Sequence, residues 1–127
     1  MPPLLVDTHV VLWHVLDDAR LGPGPTAAIE DTEVEVLVSV ASLWEIAIKS
    51  ALGKLEAPDD LPALVESLGF EMLGVTSEHV WAVRELPHHH RDPFDRLLIA
   101  QARVERLPIL TADPAFSRYD VEVTWEG

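Results

Sequence analysis

The chain has 127 residues, 48% of them hydrophobic and 24% charged, which is enough to bury roughly two thirds of its unfolded surface and unlike a disordered chain. Cysteine is absent, which excludes a disulfide framework and thiolate metal sites. The formal net charge of −13, from 22 acidic residues against 9 Lys and Arg, argues against an extended basic surface for nucleic-acid phosphates.

Leu4-Leu5-Val6 reads as a short buried strand, and Thr8 to Leu16 as a helix with Val11 and Val15 on one face. No basic segment precedes this strand and no apolar run approaches a membrane span, so a soluble cytoplasmic protein with a single domain over 1–127 is expected. Pro25 to Ile29 opens a second helix, with proline near its first turn. Val34 to Val38, rich in β-branched residues, is a second strand. Ser39 or Ser42 caps a helix that runs to Leu52 and stops at Gly53. Asp59 or Asp60 caps a helix ending near Gly69, and Phe70 to Val75 forms a strand. Ser77 caps a helix to about Leu86, with Glu78 in its first turn. After a loop from Pro87 to Pro93, a helix spans Phe94 to Arg106. Pro108 to Leu110 and Val121 to Val123 are the last strands.

Strands alternating with helices predict a parallel α/β sheet covered on both faces. In such sheets ligands gather beyond the carboxyl ends of the strands. The acids placed there are therefore the ones to weigh. Asp7 follows the first strand directly, where capping the next helix and binding a cation both fit. Glu45 is the only carboxylate between Ala41 and Leu52, on a helix that is apolar nearly all round. Taken by itself, an exposed ion pair with Lys49, four residues on, accounts for it. Asp95 stands at the mouth of the helix with Leu97, Leu98 and Ile99, where an N-cap explains it, while Asp92 before Pro93 reads as a turn. Asp113 follows the strand ending at Leu110, in a segment that also suits an Asx turn.

Together these positions gather four carboxylates at one sheet edge. Such a group repels itself and raises its own pKa values unless a cation intervenes. Oxygen donors without thiolates suit a hard ion such as Mg²⁺. The run His88-His89-His90 reads as an exposed polar loop, with phosphate or base contact near the acids as the other reading.

Four blocks carry a resemblance. Val6-Asp7-Thr8-His9-Val10-Val11-Leu12-Trp13, Val38 to Lys49 around Trp44-Glu45, His89 to Ala102 around Asp92-Pro93-Phe94-Asp95-Arg96, and Leu110-Thr111-Ala112-Asp113 occur in the order found in PIN domains. The chain resembles the VapC-type toxins of type II toxin–antitoxin pairs. This resemblance implies a PIN-like three-layer α/β/α sandwich with a mainly parallel sheet. It implies a ribonuclease that uses Mg²⁺ or Mn²⁺ and is neutralised by a VapB-like antitoxin. Carried over by position, Asp7, Glu45, Asp95 and Asp113 form the acidic quartet. Thr8 and Thr111 are candidate hydroxyl supports, and Lys49, Arg91 and Arg96 candidate phosphate contacts. Self-association as a homodimer is expected, with Trp13 and Trp44 as candidate exposed aromatics.

Two other classes fit less well. A phosphoaspartyl phosphatase wants a second acid two residues after the first, where this chain has His9. A non-catalytic, receiver-like Mg²⁺-binding domain wants a Lys after a late strand, and 108–127 contains none.

Overall fold

In the computed structural model, which describes residues 2–125, β1 (Leu4–Val6) is the central strand of a five-stranded sheet. The order is β3-β2-β1-β4-β5, formed with β2 (Val36–Ser39), β3 (Glu71–Leu73), β4 (Ile109–Leu110) and β5 (Val123–Thr124). Every neighbouring pair is parallel, so all carboxyl ends lie along one edge. The chain builds outward from β1 through β2 to β3, then returns to the other side of β1 for β4 and β5. The order thus reverses between β1 and β4, the place where an open α/β sheet leaves a crevice.

Alternate residues of the strands face opposite layers. Leu4, Val6, Val36, Val38 and Leu110 pack with Val10 and Val11 of α1 (Thr8–Val15), Ile46 of α3 (Val40–Ala51), and Leu61 and Val65 of α4 (Leu61–Ser67). Leu5, Leu37 and Ile109 point the other way. They meet Leu98, Ile99 and Ala102 of α6 (Pro93–Glu105), together with Phe116 and Tyr119. α2 (Pro23–Glu30) and α5 (Ser77–Ala82) complete the helices, and the result is the expected three-layer α/β/α sandwich. No helix among the described residues is long and apolar enough to cross a membrane.

Several boundaries differ from the sequence expectations, each for a local reason. The second strand begins at Val36 rather than Val34, because Asp31 to Glu35 are spent in a turn where Glu33 N–H and Val34 N–H both bond to Asp31. Thr76, not Ser77, caps α5: its hydroxyl accepts from His79 N–H and His79 Nδ1 accepts from Thr76 N–H, a reciprocal capping box. Asp92, read as a turn, is the N-cap of α6, with Oδ1 accepting from Phe94 and Asp95 N–H at 2.8 and 3.1 Å. That leaves the Asp95 side chain free of capping. Asp60 occupies the N-cap of α4 without a side-chain bond. Gly53 does end α3, at φ +72°, a left-handed conformation that a residue with a Cβ adopts only under strain.

A buried polar network locks α6 to the sheet. Ser39 Oγ, at the end of β2, donates to Gln101 Oε1 at 2.6 Å, and Gln101 Nε2 donates to the Gly74 carbonyl after β3 at 3.3 Å. His79 Nδ1 is an acceptor, so its Nε2–H donates to Glu105 at 2.7 Å. Gln101 is fully buried, and replacing it by an apolar residue of similar size leaves the buried Ser39 hydroxyl without its acceptor. Gln101→Leu should lower unfolding stability by about 1–3 kcal/mol, read as a lower urea midpoint at unchanged slope.

Candidate functional site

The reversal between β1 and β4 is where Asp7 and Thr111 meet. Asp7 leaves β1 and caps α1, its Oδ1 accepting from Val10 N–H at 3.0 Å. Its Oδ2 accepts from the Thr111 hydroxyl just beyond β4. Thr111 Oγ1 also accepts from Asp113 N–H at 3.0 Å, so one hydroxyl ties two acid-bearing segments together. The capping expected of Asp7 uses Oδ1, while Oδ2 bonds Thr111. Burial pushes its carboxyl pKa up, against the opposing bonds from Thr111 and Val10. Thr8 serves elsewhere: its hydroxyl donates to Ser42 at 3.0 Å and joins α1 to α3.

Glu45 comes from the second turn of α3. Its pair with Lys49 forms, with Nζ 2.5 Å from Oε2, but the expectation of an exposed pair is corrected, because Glu45 is only 2% exposed. Its other oxygen, Oε1, is buried with no hydrogen-bond partner among the described residues. A buried anionic oxygen in that state is costly. Lys49 is held above its ordinary pKa by the Glu45 bond first, with Asp92 and Asp95 adding to it. It is the ammonium nearest the acids.

Asp95 projects from the first turn of α6, and its carboxyl is pushed up to about 7. Burial is the largest cause. The charges of Asp92, Glu45 and Asp7 add to it, and His90 opposes. His90 Nε2 lies 2.8 Å from Asp95 Oδ2 and 3.6 Å from Asp113 Oδ2. Asp113, the most open of the four acids, caps the 3-10 turn Pro114–Arg118 through Ala115 N–H at 2.9 Å. The fold therefore brings Asp7, Glu45, Asp95 and Asp113 to one edge, each tied to another by a shared partner or by its field.

The basic candidates divide. Lys49 faces the acids, and Arg91 is exposed on the loop before α6. The expectation of Arg96 as a phosphate contact is corrected, because the side chain is turned inward. It is buried, and its guanidinium donates to the carbonyls of Pro87, Leu86, Val83 and His90 and to the Tyr119 hydroxyl. None of these acceptors is a carboxylate. Three consecutive histidines carry no periodicity, so the sequence does not single out His90; only the folded loop distinguishes the one facing Asp95.

What the site could hold follows from its donors. His90, Asp95 and Asp113 offer one nitrogen and two oxygens within 4.8 Å of one another. Glu45 adds an unpartnered buried oxygen, and Asp7 a carboxyl that burial disfavours as an anion. Carboxylate oxygens in excess of bases fit a hard divalent cation.

The raised Asp95 pKa has a definite sign in stability. The unfolded carboxyl loses its proton near 3.8 and the folded one near 7, so the folded state forfeits stability as pH rises between those values. Asp95→Asn has no such titration. In metal-free protein, wild type should fall relative to Asp95→Asn from pH 4 to pH 7, by at most about 4 kcal/mol, and run parallel above. Denaturant midpoints of both proteins across pH check this; parallel curves throughout would contradict it.

Comparison with known proteins identifies the frame. Two structures of VapBC bound to DNA resemble the chain: VapBC2 from Rickettsia felis (TM-score 0.71, 12% identity, 95% of this chain and 96% of that one) and VapBC from Salmonella typhimurium (TM-score 0.71, 16% identity, 98% of each). FitAcB from Neisseria gonorrhoeae is also similar, with a TM-score of 0.62, 22% identity and 96% of each chain covered. Identities this low speak for the fold alone. No curated protein sequence matches the chain. The sequence profile of the PIN domain matches residues 4–122, from the first strand to the approach to the last, and the chain belongs to the PIN domain family.

Proposed function

We propose that this chain is a VapC-type toxin: a ribonuclease, active with Mg²⁺ or Mn²⁺, that is restrained by a VapB-like antitoxin. PIN family membership supports a nuclease. The observation that carries the metal reading is the buried, unpartnered Glu45 Oε1 beside an Asp95 carboxyl held near 7. Both are the marks of an acid group that lacks a positive charge.

In this reading Asp7, Glu45, Asp95 and Asp113 hold the cation. When bound, the cation supplies Lewis-acid polarisation of the scissile phosphate and acidifies a bound water. The chain's own residues do the rest. Thr111 fixes the direction of Asp7 and of the Asp113 backbone. Lys49 screens Glu45 from Asp95 and offers an ammonium to a phosphate oxygen. Arg91, exposed, is the second phosphate contact. No side chain needs to act as a nucleophile.

The partners follow from the same site. The neighbouring VapBC and FitAcB structures support an antitoxin, which would set a basic side chain among the acids in place of the cation. Trp44, 58% exposed on α3 and edge-to-face with Phe94, together with the exposed Val40, supports burial of this helix against a protein, including a second copy of the chain. We place the protein in the cytoplasm, as one domain.

Asp7→Asn should leave the fold intact and reduce divalent-dependent RNA cleavage by at least about a hundredfold, with loss of growth arrest on expression. The measurement is cleavage of a labelled single-stranded RNA by antitoxin-free protein with Mg²⁺, Mn²⁺ or EDTA. Full cleavage by a folded Asp7→Asn protein would sink the assignment.

A further inference from the structure

The loop from Pro87 to Asp92 is built with more care than an exposed polar segment requires. The Tyr119 hydroxyl accepts from His89 N–H at 3.1 Å and from His90 N–H at 2.8 Å. Arg96 gathers the Pro87 carbonyl at 2.9 Å, the His90 carbonyl at 3.4 Å and the same Tyr119 hydroxyl at 3.3 Å. The buried guanidinium and phenol thus fix the backbone on both sides of the His90 side chain. The ring is then fixed in its turn. Asp92 N–H donates to His90 Nδ1 at 3.4 Å, which puts the imidazole proton on Nε2. That N–H is 2.8 Å from Asp95 Oδ2.

We propose that His90 is the positioning residue of Asp95: its Nε2–H holds one carboxylate oxygen and so aims the other at the cation. The proposal rests on the metal-dependent reading above and adds a residue to it. A carboxylate at a helix start has free rotation about its last bond, and a ligand that must be found by rotation binds metal less well than one held in place. Partners that hydrogen-bond a ligating carboxylate commonly account for about ten- to hundredfold in metal affinity. His90 is turned toward Asp113 as well, at 3.6 Å, so one imidazole spans two of the four acids. Arg96 and Tyr119 act through it. Their task is to keep the loop at the length and direction that bring Nε2 to Oδ2.

The test is Mn²⁺ titration of metal-free protein by calorimetry, with wild type, His90→Ala, His90→Gln and Tyr119→Phe. His90→Ala should bind Mn²⁺ about ten- to hundredfold more weakly. His90→Gln, whose amide N–H extends to the place of Nε2, should recover most of that loss. Tyr119→Phe, which removes the acceptor for two loop N–H groups, should weaken binding alone and add nothing to His90→Ala. Nitrogen-15 spectra of Mg²⁺-loaded wild type should show the Nε2–H tautomer. Unchanged binding by His90→Ala overturns the proposal and leaves the metal reading standing. So does a His90→Gln protein as weak as His90→Ala, or an Nδ1–H tautomer with Mg²⁺, since either makes the imidazole nitrogen itself a ligand. Should His90→Ala fail to fold, the Gln variant and the tautomer decide alone. A wild type that takes up no Mn²⁺ overturns the metal reading, and this proposal with it.

Discussion

Carboxyl groups held out of water beside one another cost free energy that this protein's own bases do not return. Asp7, Glu45 and Asp95 are buried or largely so; Asp7 accepts from two neutral donors, Val10 N–H and the Thr111 hydroxyl, while Lys49 pairs with Glu45 and His90 bonds Asp95. The cost shows in the two raised carboxyl pKa values, Asp7 by burial and Asp95 by burial with the fields of its neighbours. It shows again in Glu45 Oε1, which has no donor. Each is a local defect by the standards of a protein interior. They fall at one place, and their common remedy is positive charge.

The rest of the structure is arranged so that this cost can be borne. The strands end together because the sheet is wholly parallel, and the strand order reverses between β1 and β4, where Asp7 bonds Thr111. Both apolar layers are continuous around that edge, with Val6 and Leu110 beneath it on one face and Leu5 and Ile109 on the other. The helices that bring Glu45 and Asp95 are tied down by polar contacts rather than by apolar packing alone. Ser39 both caps α3 and bonds Gln101 of α6, so the two helices share one anchor at the end of β2. Asp92 caps α6 and frees Asp95 from that duty. Repulsion between acids from different helices therefore works against fixed supports.

Much of this was legible in the sequence, because hydrophobic periodicity and strand-end placement are local signals. Leu4–Val6 followed by Asp7, and the lone Glu45 amid Leu43, Trp44 and Ile46, mark their positions without any tertiary knowledge. What was not legible depends on contacts between distant segments. The choice between Asp92 and Asp95 as cap turns on a loop conformation fixed by Tyr119, some 27 residues beyond Asp92. Arg96 looks on sequence like any exposed base beside acids, and only the carbonyls of Val83 to His90, brought around it by the α5–α6 connection, draw it inward. Glu45 forms the ion pair that its spacing predicts, but buried rather than exposed. The spacing to Lys49 did foretell the ion pair, but spacing says nothing of depth, and depth is what turns a surface pair into part of a charged site.

The overall charge of −13 and the local chemistry now bear on each other. An acidic surface repels a polyanion at long range, and that repulsion is screened beyond roughly 8–10 Å at ordinary ionic strength. For the function proposed above, attraction for RNA would have to be short-ranged and supplied on the spot, in that proposal by a cation on the four acids, by Lys49 and by exposed Arg91. Under the same proposal a basic protein side chain and a metal ion would be physical rivals. Each would answer the same deficit, the unpartnered Glu45 oxygen and the disfavoured anion of Asp95. In that proposal, an antitoxin that presents one such side chain would remove the like-charge penalty among the acids directly, so the energy stored in that repulsion would become part of what holds it.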